Sequence, residues 1–260
     1  MLCKDVMAVI EGSYARRYAM EWDNVGLLVG RDDKEIERIY VALDAGDEVI
    51  AEAARWGADL LVTHHPLIFG GMKQITNQDF IGRRVLELVR RDISYYAMHT
   101  NYDVVRMAGL AADLLGLLRQ EVLEVTCEES EEALGIGRIG YSEEPMALKE
   151  CCERVKKVFS LEAVRAFGDP KRQVCRVAVC PGSGKSVLRD ALRKGADVLI
   201  TGDIGHHEGI DAVAQGMAVI DAGHYGMEYI FVEDMRRFLT ERLPGAEVLG
   251  APVSHPYVSV

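Results

Sequence analysis

The sequence predicts an α/β fold built from two related α/β halves in a layered α/β/α arrangement. Three observations carry that expectation. Apolar runs of strand length alternate with helical periodicity early in the chain, and the alternation restarts near residue 174. Gly57-Ala58-Asp59-Leu60-Leu61-Val62-Thr63 is matched almost letter for letter by Gly195-Ala196-Asp197-Val198-Leu199-Ile200-Thr201, in matching contexts. Histidines gather just beyond the apolar runs, where open α/β sheets place their ligands.

The elements follow in order. Residues 1–20 read as an amphipathic helix with Val6, Ile10, Tyr14 and Tyr18 near one face. Glu21 to Gly30 is a polar turn entering an apolar strand. Asx residues favour turns, and the same loop is a candidate for presenting Asp23 and Asn24 to a site. Strands are predicted at 38–44, at the run before His64 and at 93–98, with helices at 46–56, 79–91 and 104–115. The middle, about 117 to 172, differs. It has Gly-punctuated strand-like pieces around Ile136 to Tyr141 and a charged amphipathic helix from Pro145 to Phe159. The acidic run Glu128 to Glu132 reads as a solvated loop. After the restart come a strand at 174–180, a helix at 185–194 and a strand at 195–201. A short helix at 209–215, a strand at 217–222, a long helix to about Leu243 and a strand at 247–250 follow. The tail beyond is extended and carries His255.

Composition excludes several classes. The 260 residues can bury a large core, and a hydrophobic share of 49% with 27% charged is that of an ordinary globular protein. A net charge of −11 argues against nucleic acid as a partner, since an electrostatic footprint needs a basic face. No apolar run approaches a membrane span, and the N-terminus lacks the apolar core of a signal peptide. None of the six cysteines forms a CxxC pair, so they read as reduced thiols of a cytoplasmic protein.

The chemistry lies in the histidines. His64 and His65 end an apolar strand and are followed by Pro66. Neighbouring side chains on an extended backbone point to opposite sides, so the pair suits two targets unless the chain bends between them. His99 and Asp103 are separated by one helical turn, as are His224 and Glu228, so each imidazole shares a face with a carboxylate. Imidazole with carboxylate is the ligand set of Zn, Fe, Mn, Ni or Co, and a carboxylate can bridge two such ions. A core histidine donating to a carbonyl is the ordinary alternative for any one of them. Pro181-Gly182-Ser183-Gly184-Lys185-Ser186 invites a phosphate-loop reading. However, Val179 stands where that pattern needs its first glycine, and a tight strand-to-helix turn fits better.

Five stretches together resemble the NIF-three-like dinuclear metal proteins, often called GTP cyclohydrolase 1 type 2 homologues. They are Trp22-Asp23-Asn24-Val25-Gly26, Thr63-His64-His65-Pro66, His99-Thr100-Asn101-Tyr102-Asp103, Gly202-Asp203-Ile204 with His206-His207, and Asp221 through Glu228. The resemblance implies two divalent ions per subunit, held between the halves by His64, His65, Asp103, His224 and Glu228, in a toroidal homohexamer. Longer members carry an inserted middle domain. This chain's middle is short, so the expected halves are 1–125 and 126–260 with no insertion. The expected function is hydrolysis of an unknown small-molecule substrate, by ring opening as in a cyclohydrolase or by amide or phosphoester cleavage. His207, His206, His99 and Asp23 are the candidates for proton transfer and orientation. The alternative is a non-catalytic, metal-binding hexameric scaffold or a metal-handling protein.

Overall fold

A computed structural model describes residues 1–127 and 133–257. The acidic run Glu128 to Glu132 lies outside the described residues. In chain order the elements are α1 (Cys3–Ser13), β1 (Gly26–Val29), β2 (Arg38–Ala42), α2 (Asp47–Trp56), β3 (Leu60–Thr63), α3 (Phe80–Arg90), β4 (Ser94–Ala97) and α4 (Thr100–Tyr102). A π-helical turn, Asp103–Met107, leads into α5 (Ala108–Leu114), β5 (Leu118–Cys127), β6 (Leu134–Ala147), α6 (Leu148–Phe159), β7 (Arg165–Phe167), β8 (Gln173–Ser183) and α7 (Leu188–Arg193). The chain closes with β9 (Val198–Gly202), α8 (His206–Ala214), β10 (Ala218–Asp221), α9 (His224–Glu228), α10 (Ile230–Arg242) and β11 (Glu247–Gly250).

These elements form two compact units. The first is Met1–Tyr102 with Phe231–Val253, and the second is Asp103–Ile230 with Ser254–Val260. The expected boundary at 125/126 falls inside β5. The division seen here comes earlier and is crossed a second time, because β11 pairs in parallel with β2 and so brings the end of the chain into the first sheet.

The first unit is a five-stranded sheet in the order β1-β4-β3-β2-β11, parallel except for β1. Strands β3 and β4 are buried at every position, as expected for a sheet covered on both faces. Tyr95 lies with Leu61, Ile50, Ala53, Val85 and Leu88, under α2 and α3. Its neighbour Tyr96 points the other way, and its hydroxyl meets Glu11 of α1 at 3.0 Å. Two adjacent tyrosines thus separate two helical layers.

The second unit is a six-stranded sheet in the order β5-β6-β8-β9-β10-β7. Its centre, β8-β9-β10, is parallel and its flanks are antiparallel. Val177, Val179, Val198 and Ile200 pack under α5, α6 and α9, while Ala178, Leu199 and Val219 pack under α7 and α8. Strand β7 and the length of the β5–β6 ribbon were not legible from periodicity, because their faces are mixed polar and apolar.

The repeated Gly-Ala-Asp segments perform one job twice. Gly57 and Gly195 both take the left-handed conformation, with φ of 76° and 68°, and each ends a helix. Each turn leads into a strand parallel to its predecessor. Asp59 accepts the N–H groups of Glu37 and Arg38, and Asp197 accepts those of Cys175 and Arg176.

Candidate metal-ligand clusters

In the first unit the histidine pair sits where β3 runs out. The chain bends at residues 64 and 65, and the two rings stand side by side with centroids 4.8 Å apart. The bend answers the geometric objection to adjacent histidines serving one site. Tyr95 holds it: its hydroxyl donates to the His65 carbonyl and accepts from the Leu67 N–H, while Thr63 Oγ1 donates to the same carbonyl at 2.8 Å. Burial first of all pushes the Tyr95 phenol up to about 12, so it remains a neutral strut.

His99 joins the pair from the end of β4. One ring nitrogen from each of His64, His65 and His99 lies within 4.8 Å of the others. His64 is fully buried, with Phe231 and Tyr102 around it. His65 Nδ1 meets Asp44 Oδ1 at 2.8 Å, and His99 Nδ1 meets Asp23 Oδ1 at 2.9 Å. Asp23 is itself anchored by the Thr100 N–H at 2.9 Å and by the Thr100 hydroxyl. Burial works against its charge, but the hydrogen bonds from His99 and Thr100 outweigh it and bring Asp23 down to about 2. The loop of Asp23 and Asn24 is therefore tied to the histidine cluster.

In the second unit the donors gather at the ends of β8, β9 and β10. His224 opens α9, and its Nε2 lies 3.0 Å from Glu228 Oε2 one turn later. His224 Nδ1 meets Asp203 Oδ2 at 2.8 Å. Gly182 makes room for Glu228, since a Cβ there would stand 2.2 Å from Glu228 Oε1. Asp103 begins the π-helical turn, and with Glu228 it flanks Cys180. Burial first, then these two negative charges, raise the Cys180 thiol far above its ordinary range. Asp221 ties the loops together by accepting the Ile204 and Gly223 N–H groups and the Arg165 guanidinium.

His206 and His207 lie on the first turn of α8, exposed, with rings 5.2 Å apart. Glu208 beside them pairs with Lys185 at 3.2 Å. Beyond Ser183 the chain makes a turn before α7 starts at Leu188, which agrees with reading 181–186 as a tight turn.

The residues fit a metal. Three histidines, His65, His99 and His224, each bring Nδ1 to a carboxylate, so Nε2 is the nitrogen each would offer a metal, and for His224 that nitrogen already lies beside the Glu228 carboxylate. This is how outer carboxylates fix the tautomer and aim of a metal-binding imidazole. Asp44 and Asp203 are the orienting acids that sequence reading did not single out for this role. Both stand just past a strand end, and only the fold shows which imidazole each one meets.

The chain is similar to known proteins over nearly its whole length. The family model for Duf34/NIF3 (NGG1p interacting factor 3) matches residues 1–255. A GTP cyclohydrolase 1 type 2 homolog of Streptococcus pneumoniae is 37% identical over 247 residues, covering 93% of this chain and 91% of the relative. One from Clostridium acetobutylicum is 34% identical, covering 91% and 88%. Among solved structures, reduced HcgD from Methanocaldococcus jannaschii has a TM-score of 0.82 at 30% identity, covering 96% of this chain and 97% of that one. A Bacillus cereus protein related to NIF3 shares the fold with a TM-score of 0.95 at 24% identity, covering 100% and 99%. Nearly the full length of the chain is matched each time, and the chain belongs to the Duf34/NIF3 family.

Proposed function

We propose that the protein is a hydrolase that uses two divalent ions, which His64, His65, Asp103, His224 and Glu228 would hold, with Glu228 able to bridge. The observation that carries this reading is the set of three imidazoles whose Nδ1 atoms are each held by a carboxylate. Bound ions of this kind supply Lewis acidity and make water a nucleophile at neutral pH. The chain supplies the rest. His99, braced by the buried Asp23, is placed to move a proton at Nε2. His206 and His207 are exposed, which makes them secondary candidates for the same task. The name carried by the relatives points to ring-opening hydrolysis, which this chemistry accommodates.

Metal analysis of two variants tests the reading. The wild-type protein should hold two equivalents per chain. Glu228→Gln should hold one or fewer and melt lower, because metal bound to the folded state stabilises it. Glu208→Gln, altered at an acid paired with Lys185, should keep both. Two full equivalents in Glu228→Gln would show that the wrong carboxylate has been chosen. Turnover of a broad panel of heterocycles, amides and phosphoesters, against Glu228→Gln as blank, separates a hydrolase from a metal-handling scaffold.

The reading includes a homohexamer, which light scattering should show as six times the subunit mass. It also includes a cytoplasmic location, supported by six free thiols. Among the described residues no helix is long and apolar enough to cross a membrane.

A further inference from the structure

Two large apolar side chains stand exposed at the rim of the histidine cluster in the first unit. Trp22 is 64% exposed and Phe69 is 54% exposed. Single exposed hydrophobic residues are common and need no explanation. These two differ because both contact the same imidazole. The ring centroids of Trp22 and of Phe69 each lie 5.8 Å from that of His99, at interplanar angles of 75° and 85°.

Their loops are also pinned. Asp23, next to Trp22, is held by His99 and Thr100. Asn24 then donates from Nδ2 to the carbonyl of Ile68, next to Phe69, at 2.6 Å. One hydrogen bond therefore joins the two aromatic-bearing loops. Rings held this way offer contact area at little entropic cost on binding.

We propose that Trp22 and Phe69 form an aromatic rim that binds a planar, unsaturated ring of the substrate. A π-face is what an exposed indole and phenyl recognise best, and stacking of this kind tolerates differences in ring substituents. This deepens the hydrolase reading by naming the class of its substrate, and it rests on that reading only for the reaction after binding.

The chain has two tryptophans, Trp22 and Trp56, and Trp56 lies elsewhere, against Tyr40. A Trp56→Phe protein therefore reports on Trp22 alone. It is titrated with guanosine, with uracil and with 5,6-dihydrouracil, which keeps the polar edge of uracil but has a puckered ring. EDTA is present throughout, so ring binding is read without metal, and the metal occupancy of Glu228→Gln stands or falls separately. Guanosine and uracil should quench Trp22 saturably and dihydrouracil should not. Phe69→Leu in the same background should weaken guanosine binding about tenfold. Both side chains are exposed, so their replacement leaves the fold intact. Linear quenching that Phe69→Leu does not change, or equal binding of uracil and dihydrouracil, would overturn the proposal. So would loss of assembly in Trp22→Leu or Phe69→Leu by light scattering, which would assign the rim to contacts between copies of the chain.

Discussion

Asp59 and Asp197 end the same three-residue turn in the two units, and both accept two backbone N–H groups from the preceding strand. The N–H of each donates back to that strand, at Arg38 and Arg176, and each carbonyl accepts from the first residue of a following strand, Ser94 of β4 and Ala218 of β10. The turns are the same in sequence and in hydrogen bonding. The residues just past the two strands have opposite roles. After Thr63 come two imidazoles, the second of which, His65, is oriented by an acid from a neighbouring strand end, Asp44. After Thr201 come Gly202 and an acid, Asp203, which orients an imidazole from a neighbouring strand end, His224. Donor and support have exchanged places on one scaffold. The backbone specifies where a group stands past the strand, and the residue type at that point specifies its chemistry.

The largest expected effect separates the two turns. Asp59 lies 3.6 Å from Lys34 Nζ, and Lys34 is only 8% exposed. Asp59→Ala removes two hydrogen bonds to a carboxylate and one of the anions facing a buried ammonium, and should cost about 3 kcal/mol. Asp197→Ala removes only the hydrogen bonds and should cost about 2 kcal/mol. Urea unfolding of both variants measures the gap, and equal losses would remove Lys34 from the account.

Asp23 gives the next effect. Its folded pKa of about 2 lies below the ordinary 3.8, so the charged form is favoured by folding. That stability is present above about pH 4 and is lost as pH falls towards 2. Asp23→Asn should be less stable at neutral pH by about 1–2 kcal/mol, and the difference should close between pH 4 and pH 2. A constant difference across that window would show that shape, and not charge, is responsible.

Replacing Gly57 or Gly195 by Ala forces a side chain into a left-handed turn, at about 1 kcal/mol each. Gly57→Ala should be the worse, because Arg38 Nη1 stands 3.0 Å from the new Cβ, against 3.8 Å for Arg176 Nη1 at Gly195. The smallest effect belongs to His206→Ala. It is exposed on α8, and thermal melting should change by less than about 0.5 kcal/mol in free-energy terms.

The alternation of strands and helices, the duplicated turn and the gathering of histidines past strand ends are local patterns, and they were legible. Apolar runs such as Leu60 to Thr63 announce a buried strand whatever lies beside them, and a glycine before Ala-Asp announces a helix end. The Asp23 loop was half legible: its residues suggested either a turn or a site, and only the fold shows that Asp23 meets His99, 76 residues away. Mixed-face strands such as β7 gave no period to read.

By itself, then, the sequence determined the strands and helices with a clear apolar period, which residues are able to bind a metal, and that one motif was used twice. These follow from periodicity and side-chain chemistry, which act over a few residues. The tertiary structure alone decided that β11 joins the first sheet, that Asp44, Asp23 and Asp203 each serve a particular imidazole, and that two exposed rings flank His99. Those facts depend on contacts between residues distant in the chain, and no local preference carries them.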